Sequence, residues 1–320
     1  MKKYNISYNI IMLLISFIFI ILFLLLYILI NHKIVNPYIP TNYEKLNNEI
    51  IELSDEYSEV IELSIIGKSQ QNRNLYLIKL GRGQQKVLFT GSTHGTEYIT
   101  SAYLLKMTEE YARCYINEQN FGGRNVKQLL DNTTIYIVPM INPDGVEMVL
   151  NHHINWRANA NGVNLNQNFP TNRWNDIDTG IYQPDINGFR GYSPASEPES
   201  KALINLCETY NFKFMLSFHA KGEVLYWTDD NTGIVPGSTK LMKIIEKSTG
   251  YKPMESTDNV NSYAGGFENW FRYKYNRPGI CIELTPSNDS KDPHNDKYFN
   301  SLVWDKAKYL GLDVISDNFL

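Results

Sequence analysis

The sequence predicts an α/β fold, a mixed sheet covered by helices on both faces, preceded by one N-terminal transmembrane helix. Three observations point there. From Ile10 to Ile30 no residue is charged, and a helix of that length rises about 30 Å, the thickness of a bilayer's hydrocarbon core. Beyond it, short apolar β-rich runs alternate with longer helical patterns, the order of an α/β domain. Over 320 residues the chain is 43% hydrophobic and 20% charged, which supplies a large core and excludes disorder as the expectation.

Residues 1–9 form a short tail. The apolar run at 10–30 is longer than the core of a cleaved signal peptide, and no small-x-small cleavage site follows it, so it reads as an uncleaved signal anchor. Lys2 and Lys3 precede it while His32 and Lys33 follow, so charge bias says little about direction. The brevity of the tail favours tail inside and domain outside, a single-pass protein of the cell membrane with an extracytoplasmic domain. Residues 31–40, with Pro37 and Pro40, read as a linker, and residues 41–320 as the folded domain. A first helix is expected from Asn42 to Glu56. Strands are expected at Val60 to Ile66, Leu75 to Leu80, Val87 to Thr90, Thr134 to Val138, Phe212 to Phe218, Val224 to Trp227 and Ile280 to Leu284. Helical patterns lie between or after them at Tyr98 to Tyr115, Pro198 to Tyr210, Ser238 to Thr249, Gly266 to Tyr275 and Asn300 to Leu310. The Pro198 helix opens on Ser196-Glu197-Pro198-Glu199, with the Ser and Glu spacing of a capping box and proline in the first turn.

The formal charge of -4 and pI near 5.9 come with scattered Lys and Arg instead of a basic stripe, so no nucleic-acid partner is expected. Three cysteines, Cys114, Cys207 and Cys281, leave at least one thiol unpaired, and none stands in a CxxC pair. A Cys114–Cys207 disulfide stays open, since sequence does not give the separation of their Cα atoms.

From Val87 to Glu97 a buried strand runs through Gly91-Ser92-Thr93 into a helix, bringing His94 and Glu97 to the strand's C-terminal edge. An imidazole and a carboxylate three residues apart there can face one ion, and such N and O donors suit catalytic zinc; a polar helix cap is the plainer reading. A second β-rich run ends on His219, where a third ligand would arrive if the strand ends share one site, as open α/β sheets arrange them. A structural histidine is the alternative. His152 and His153, being adjacent, would point to opposite faces of a strand, His32 abuts the apolar run, and His294 falls in a loop rich in Asp and Asn. Glu283 interrupts the apolar run Gly279 to Leu284, where an ionised carboxylate is costly unless it is paired or faces a polar site. An ion pair with Arg277 and a general base that takes a proton from activated water are the two readings.

These segments together resemble the zinc metallocarboxypeptidase family, in order, across most of residues 42–310. The matching signatures are His94-x-x-Glu97, Ile141-Asn142-Pro143-Asp144-Gly145, Gly162 to Phe169, Ser196 to Glu199, Ser217-Phe218-His219 and Ile282-Glu283-Leu284. The resemblance implies an eight-stranded mixed sheet between helices, one zinc ion per chain held by His94, Glu97 and His219, and Glu283 as the catalytic base. It gives Arg157, in Asn155-Trp156-Arg157, the role of polarising the scissile carbonyl. Asn166 matches the family's Asn-Arg pair for a substrate carboxylate, but the arginine is Gln167 here. Asn164 stands where an aspartate usually orients a zinc-bound histidine, and Thr96 where digestive members often have arginine. Tyr263 is the candidate for the family's mobile tyrosine, although it lies nearer the glycines Gly265 and Gly266 than usual. Glu268 falls where the family selects its substrate side chain.

Within the family the chain looks like bacterial members that cut cell-wall peptides between γ-D-glutamate and a diamino acid. Peptide substrates, among them peptidoglycan stem peptides, are the implied partners. A general exported carboxypeptidase is the runner-up, and the changes at Asn164 and Gln167 motivate a third reading, a catalytically impaired peptide-binding protein. All three expected ligands, the base and the oxyanion arginine are nonetheless retained together.

Overall fold

The computed structural model describes residues 8–31, 33–153, 155–287 and 294–316, and the chain divides into two units between Ile34 and Val35. In the first unit the uncharged run adopts one helix, Tyr8–Asn31. Its side chains are described over residues 10–23, all of them exposed, and among the described residues no helix is long and apolar enough to cross a membrane. The expected span at 10–30 therefore has a helical backbone here but no membrane assignment.

The second unit begins earlier than residue 41. Val35 is buried and its N–H donates to Glu109 at 3.3 Å, while Asn36 N–H donates to Glu49 at 3.0 Å. Residues of the expected linker thus pack as part of the fold.

Among the described residues ten strands build it: β1 Ile61–Lys68, β2 Asn74–Leu80, β3 Gln85–Gly91, β4 Asn120–Phe121, β5 Arg124–Asn125, β6 Thr133–Val138, β7 Met215–His219, β8 Val224–Tyr226, β9 Lys252–Pro253 and β10 Gly279–Glu283. β4 and β5 form a small separate ribbon, and the other eight form one sheet in the order β1-β2-β6-β3-β7-β10-β8-β9. Its centre, β6-β3-β7-β10, is parallel. β2 and β8 flank that block as antiparallel neighbours. The mixed eight-stranded sheet implied by the resemblance is present.

Alternation along the strands sends side chains to two covered faces. Leu88 and Met215 pack with Leu203, Leu206, Phe267, Trp270 and Phe271 from the helices Pro198–Thr209 and Phe267–Tyr275. On the other face Phe89 meets Phe218 edge-on at 5.7 Å, and Tyr103 of the helix Ile99–Ile116 lies 5.1 Å from Phe218.

Local chemistry sets the ends of most helices near their expected positions. Tyr43–Glu56 starts where the Asn42 side chain accepts from Lys45 N–H, and it buries Leu46, Ile50 and Leu53 on one stripe. Ser238–Thr249 is bracketed by Gly237 and Gly250, both left-handed, with φ of 85° and 76°. Other expectations give way to tertiary demands. The capping box at Ser196 is not formed: Glu197 is the cap residue of Pro198–Thr209 and makes no side-chain cap bond. Glu199 is drawn inside instead, accepting from Gln70 N–H at 3.0 Å and Asn159 Nδ2 at 3.2 Å. The helix expected from Asn300 to Leu310 breaks into a wide turn at Asn300–Trp304 and short helices at Asp305–Ala307 and Leu310–Val314, as Trp304 seats against Phe299, Phe121 and Tyr103. The helices Val126–Asn132 and Pro143–Leu150 and the strand β9 add to the expected set. Cys114, Cys207 and Cys281 are buried free thiols, so the open disulfide is not made.

Candidate active site

Three neighbouring strands of the parallel block end at one edge, and each delivers one element of the site. β3 runs into the loop that carries His94 and the short turn Gly95–Glu97; β7 ends on His219; β10 ends on Glu283. The register places Glu283 directly beside His219 and Gly91 beside Phe218. Carboxyl ends of adjacent parallel strands are where such sheets build their sites.

The loop after β3 is fixed by the Asn142-Pro143-Asp144-Gly145 turn. Asn142 caps Pro143–Leu150 by accepting from Gly145 N–H at 2.9 Å, and its Nδ2 donates to Thr93 O at 3.2 Å and Ala158 O at 2.9 Å. One buried amide thus ties the His94 loop to the Arg157 loop, reinforced by Gly95 N–H donating to Arg157 O at 3.2 Å. Residue 95 must be glycine here, because a Cβ would stand 2.5 Å from Gly145 backbone and 2.6 Å from Trp156 O. Gly222 packs close to Glu283 more loosely, since a Cβ on it would lie 2.9 Å from Val224 Cγ2 and 3.2 Å from the glutamate's Cβ.

His94, Glu97 and His219 are all buried, and their ligand atoms lie within 4.8 Å of one another. Each imidazole turns Nδ1 toward a different oxygen of Glu97, at 2.8 Å for His94 and 2.9 Å for His219. The far nitrogens are held from behind: His94 Nε2 lies 3.2 Å from Asn164 Oδ1, and His219 Nε2 lies 3.1 Å from Ser217 Oγ. With the proton on Nε2 of His94 facing the amide oxygen, Nδ1 and the carboxylate present converging lone pairs, an arrangement that needs a cation. The Arg157 guanidinium supplies part of that charge, donating to Glu97 Oε1 and to His94 Nδ1, each at 2.9 Å. Two imidazole nitrogens and one carboxylate fit zinc with a position left open. Among the described residues no other group of three such donors converges in this way.

The charges on the three side chains divide. Burial pushes the His94 imidazole down to about 4, with Arg157 adding to the effect, so it stays neutral. Burial opposes the charge on Glu97, but His94, Arg157 and His219 hold its carboxyl well below the usual range. Burial also disfavours protonated His219, yet Glu97 lifts it to about 9, so holding zinc there requires displacement of that proton. Glu283 is pushed up by burial and then by Glu97 to about 8, and its Oε2 is buried without a hydrogen-bond partner. The ion pair with Arg277 is not made, since that guanidinium binds Asn211 Oδ1 and Phe212 O, both at 2.6 Å.

Two cavities open on this centre. The larger, about 470 Å³, is lined by His94, His219, Arg157 and Glu283 together with Asn166, Tyr263 and Glu268. Asn166 accepts from Phe267 N–H at 3.3 Å. Glu268 is buried, with Oε2 unpartnered. Tyr263 is 4% exposed and packs with Trp174 and Ile177, so it sits in the wall. Gln167 is not among the lining residues: its Nε2 donates to Asn261 O at 3.3 Å. The sequence reading missed Asp229, Asn269 and Arg272, which line the same cavity. Arg272 is buried and pairs with Asp229 at 2.6 Å, and Asn269 Nδ2 donates to the same carboxylate at 2.9 Å. The available signal was the spacing of Glu268 and Arg272, four apart on one helical face. The smaller cavity, about 410 Å³, shares Arg157 and Glu283 and adds Glu97, Thr96, Asn155, Asn187, Lys221 and His294. His294, set aside in the sequence as a loop residue, thus borders the site.

Comparison with known proteins agrees with this geometry. A model of the zinc carboxypeptidase family matches residues 46–299. The chain is 29% identical over 272 residues to gamma-D-glutamyl-L-diamino acid endopeptidase 1 of Lysinibacillus sphaericus, a match covering 79% of this chain and 67% of that one. It spans less of other curated relatives, 63% and 56% of their length in two cases. Among solved structures, thrombin activatable fibrinolysis inhibitor superposes with a TM-score of 0.71 at 18% identity, covering 87% of this chain and 74% of that one. The murein-tripeptide amidase MpaA of Escherichia coli O157 superposes with a TM-score of 0.52 at 22% identity, covering 78% and 91%. At these identities the two structural likenesses are likenesses of fold.

Proposed function

The chain belongs to the zinc carboxypeptidase family and is a zinc metallopeptidase using one zinc ion, and from that premise we propose that it hydrolyses the bond between γ-D-glutamate and a diamino acid in cell-wall peptides. The observation that carries the chemistry is Glu283, a half-buried residue whose Oε2 is buried and unpartnered, on the strand beside His219. When bound, zinc supplies a Lewis acid that acidifies water to a pKa of about 7 and polarises a carbonyl oxygen. His94, Glu97 and His219 would hold it. Glu283 takes the proton of the attacking water and returns it to the departing nitrogen. Arg157, anchored by Glu97 and His94, faces the negative charge that grows on the carbonyl oxygen.

For the substrate, support comes from Glu268. Its carboxylate lines the larger cavity with one oxygen unpartnered, which suits an amine-bearing side chain on the residue after the cut bond. Gln167, turned to Asn261 and away from that cavity, offers no charged grip on a terminal α-carboxylate. Action inside a chain fits this better than strict removal of a terminal residue, and the word endopeptidase in the Lysinibacillus relative's name agrees. Stem peptides with γ-D-glutamyl-diaminopimelate or γ-D-glutamyl-lysine should be cut in preference to a peptide ending in phenylalanine, and Glu268→Gln should erase the preference. A wild-type preference for phenylalanine, or unchanged selectivity in the variant, would remove Glu268 from the pocket's role.

The uncharged helix at residues 10–30 supports a single membrane anchor with the enzyme domain on the extracytoplasmic side. Membrane fractionation of the full chain, with protease added to intact cells, reads both points. Release by salt alone, or protection of the domain in intact cells, would contradict the placement.

A further inference from the structure

The charged side chains that line the larger cavity sort into two groups. Its acids are Glu268, Glu283, Asp229 and, on an exposed stretch, Glu255; its bases are His94, His219, Arg157 and Arg272. The two histidines converge on Glu97 as metal ligands, and Arg157 donates to Glu97 and His94 at the reacting end. Among the described residues lining this cavity, Arg272 is therefore the one cation outside the metal centre. It is 1% exposed, and each of its three nitrogens is held. Nε and Nη2 donate to Asp229 Oδ2 at 3.1 and 2.6 Å, and Nη1 donates to Gly279 O. Asp229 is equally committed: Oδ2 also accepts from Asn269 Nδ2 at 2.9 Å, and Oδ1 accepts from the N–H groups of Asn231 and Thr232 at 2.9 and 2.8 Å. A guanidinium gripped in this way by a buried carboxylate has no net charge left for a ligand. Glu268, four residues earlier on the same helix, stands in contrast, with Oε2 buried and unpartnered.

We propose that the larger cavity selects a diamino acid whose side chain ends in an ammonium and bears no free carboxylate, and that Asp229 sets this choice by withholding Arg272 from the substrate. The inference rests on the assignment of this cavity to the residue after the cut bond. Lysine ends in an ammonium alone, which Glu268 can receive. Diaminopimelate carries an ammonium and a carboxylate on one carbon. Its carboxylate would lose water and meet Glu268 and Glu283 with no cation free to pair with it, a cost that falls on this substrate and spares lysine. Amidation of that carboxyl removes the cost. Asp229 is thus a specificity-determining residue that acts through Arg272.

The test uses the zinc-loaded full chain and three matched peptides: L-Ala-γ-D-Glu-L-Lys, L-Ala-γ-D-Glu-meso-diaminopimelate, and the latter with its side-chain carboxyl amidated. Wild type should cut the first and third at similar kcat/KM and the free acid at least about tenfold less efficiently, the scale of one unpaired charge. Asp229→Asn should narrow that gap. Its amide oxygen can stay on the N–H groups of Asn231 and Thr232, which turns Nδ2 toward Arg272 and leaves the guanidinium to the substrate. The double variant Asp229→Asn with Arg272→Gln should reopen the gap, a reversal that loss of packing alone would not give. Wild-type cleavage of the free acid as efficient as that of its amide overturns the selection, whether or not the variants fold. A gap unchanged in folded Asp229→Asn overturns the role of Asp229. If no peptide is cut, the proposed bond fails separately, and the cavity is read by calorimetry with L-lysine and meso-diaminopimelate. Tighter binding of lysine supports the selection; equal affinity, tighter binding of diaminopimelate, or no binding of either overturns it.

Discussion

Asn164 shows how a single amide holds a ligand from behind. Its Oδ1 faces His94 Nε2 at 3.2 Å and also accepts Asn166 N–H at 3.0 Å, so the side chain fixes both the imidazole and the turn that follows. A carboxylate would hold the imidazole proton more strongly. Asn164→Asp should therefore tighten zinc binding, and Asn164→Ala should weaken it by roughly 10- to 100-fold, the usual effect of removing such a support. Chelator competition measures both, and an alanine variant with wild-type affinity would show that the contact is idle. Residues of this kind were legible in the sequence where they broke a pattern: Glu283 interrupts an apolar strand, and His219 ends one. Arg272 and Asp229 broke none. They meet only because the helix Phe267–Tyr275 crosses the loop after β8, a pairing across 43 positions that no local spacing announces.

Among the elements, the turn at Asn142 organises the site without touching substrate. Its side chain caps one helix and binds carbonyls from two loops, so Asn142→Ala loses the cap and leaves buried acceptors unpaired. The expected destabilisation is about 2 kcal/mol or more, with weaker zinc binding as the His94 and Arg157 loops come apart. Urea unfolding checks the first, and a change below experimental error would show that the loops are held by other contacts. Most strands and helices were readable because period and length agreed. The strand Lys252–Pro253 was not, since two residues carry no period and its pairing with β8 is set by tertiary position. The helix at residues 300–310 misled because its apolar spacing is real, while the aromatic packing of Trp304 widens the turn.

For the molecule as a whole, stability should depend on a buried acid far from the zinc ligands in the chain. Burial raises the Glu199 carboxyl from 4.5 to about 7, only partly offset by hydrogen bonds from Glu199's own backbone, Gln70 and Asn159. The folded state holds this proton more tightly than the unfolded chain, so the contribution is fully present below about pH 4.5 and is lost as pH rises through about 7. Relative to wild type, Glu199→Gln should gain on the order of 1–3 kcal/mol between pH 5 and pH 8, read from urea midpoints at the two pH values with zinc present. Parallel pH profiles for the two proteins would place the proton elsewhere. At this scale the sequence conveyed the sheet, its two layers of helices and the convergence of strand ends, because alternation and strand-end chemistry are written locally. The two cavities were not, because they depend on which loops meet above the sheet. The proposed activity turns on one bond. The most direct measurement incubates the zinc-loaded full chain with stem peptides and identifies the products by mass spectrometry, beside Glu283→Gln loaded to the same zinc content. Wild type should cut between γ-D-glutamate and the diamino acid, with turnover in the variant lower by about 100-fold or more. A different cut bond, or near-normal turnover in Glu283→Gln, would contradict it.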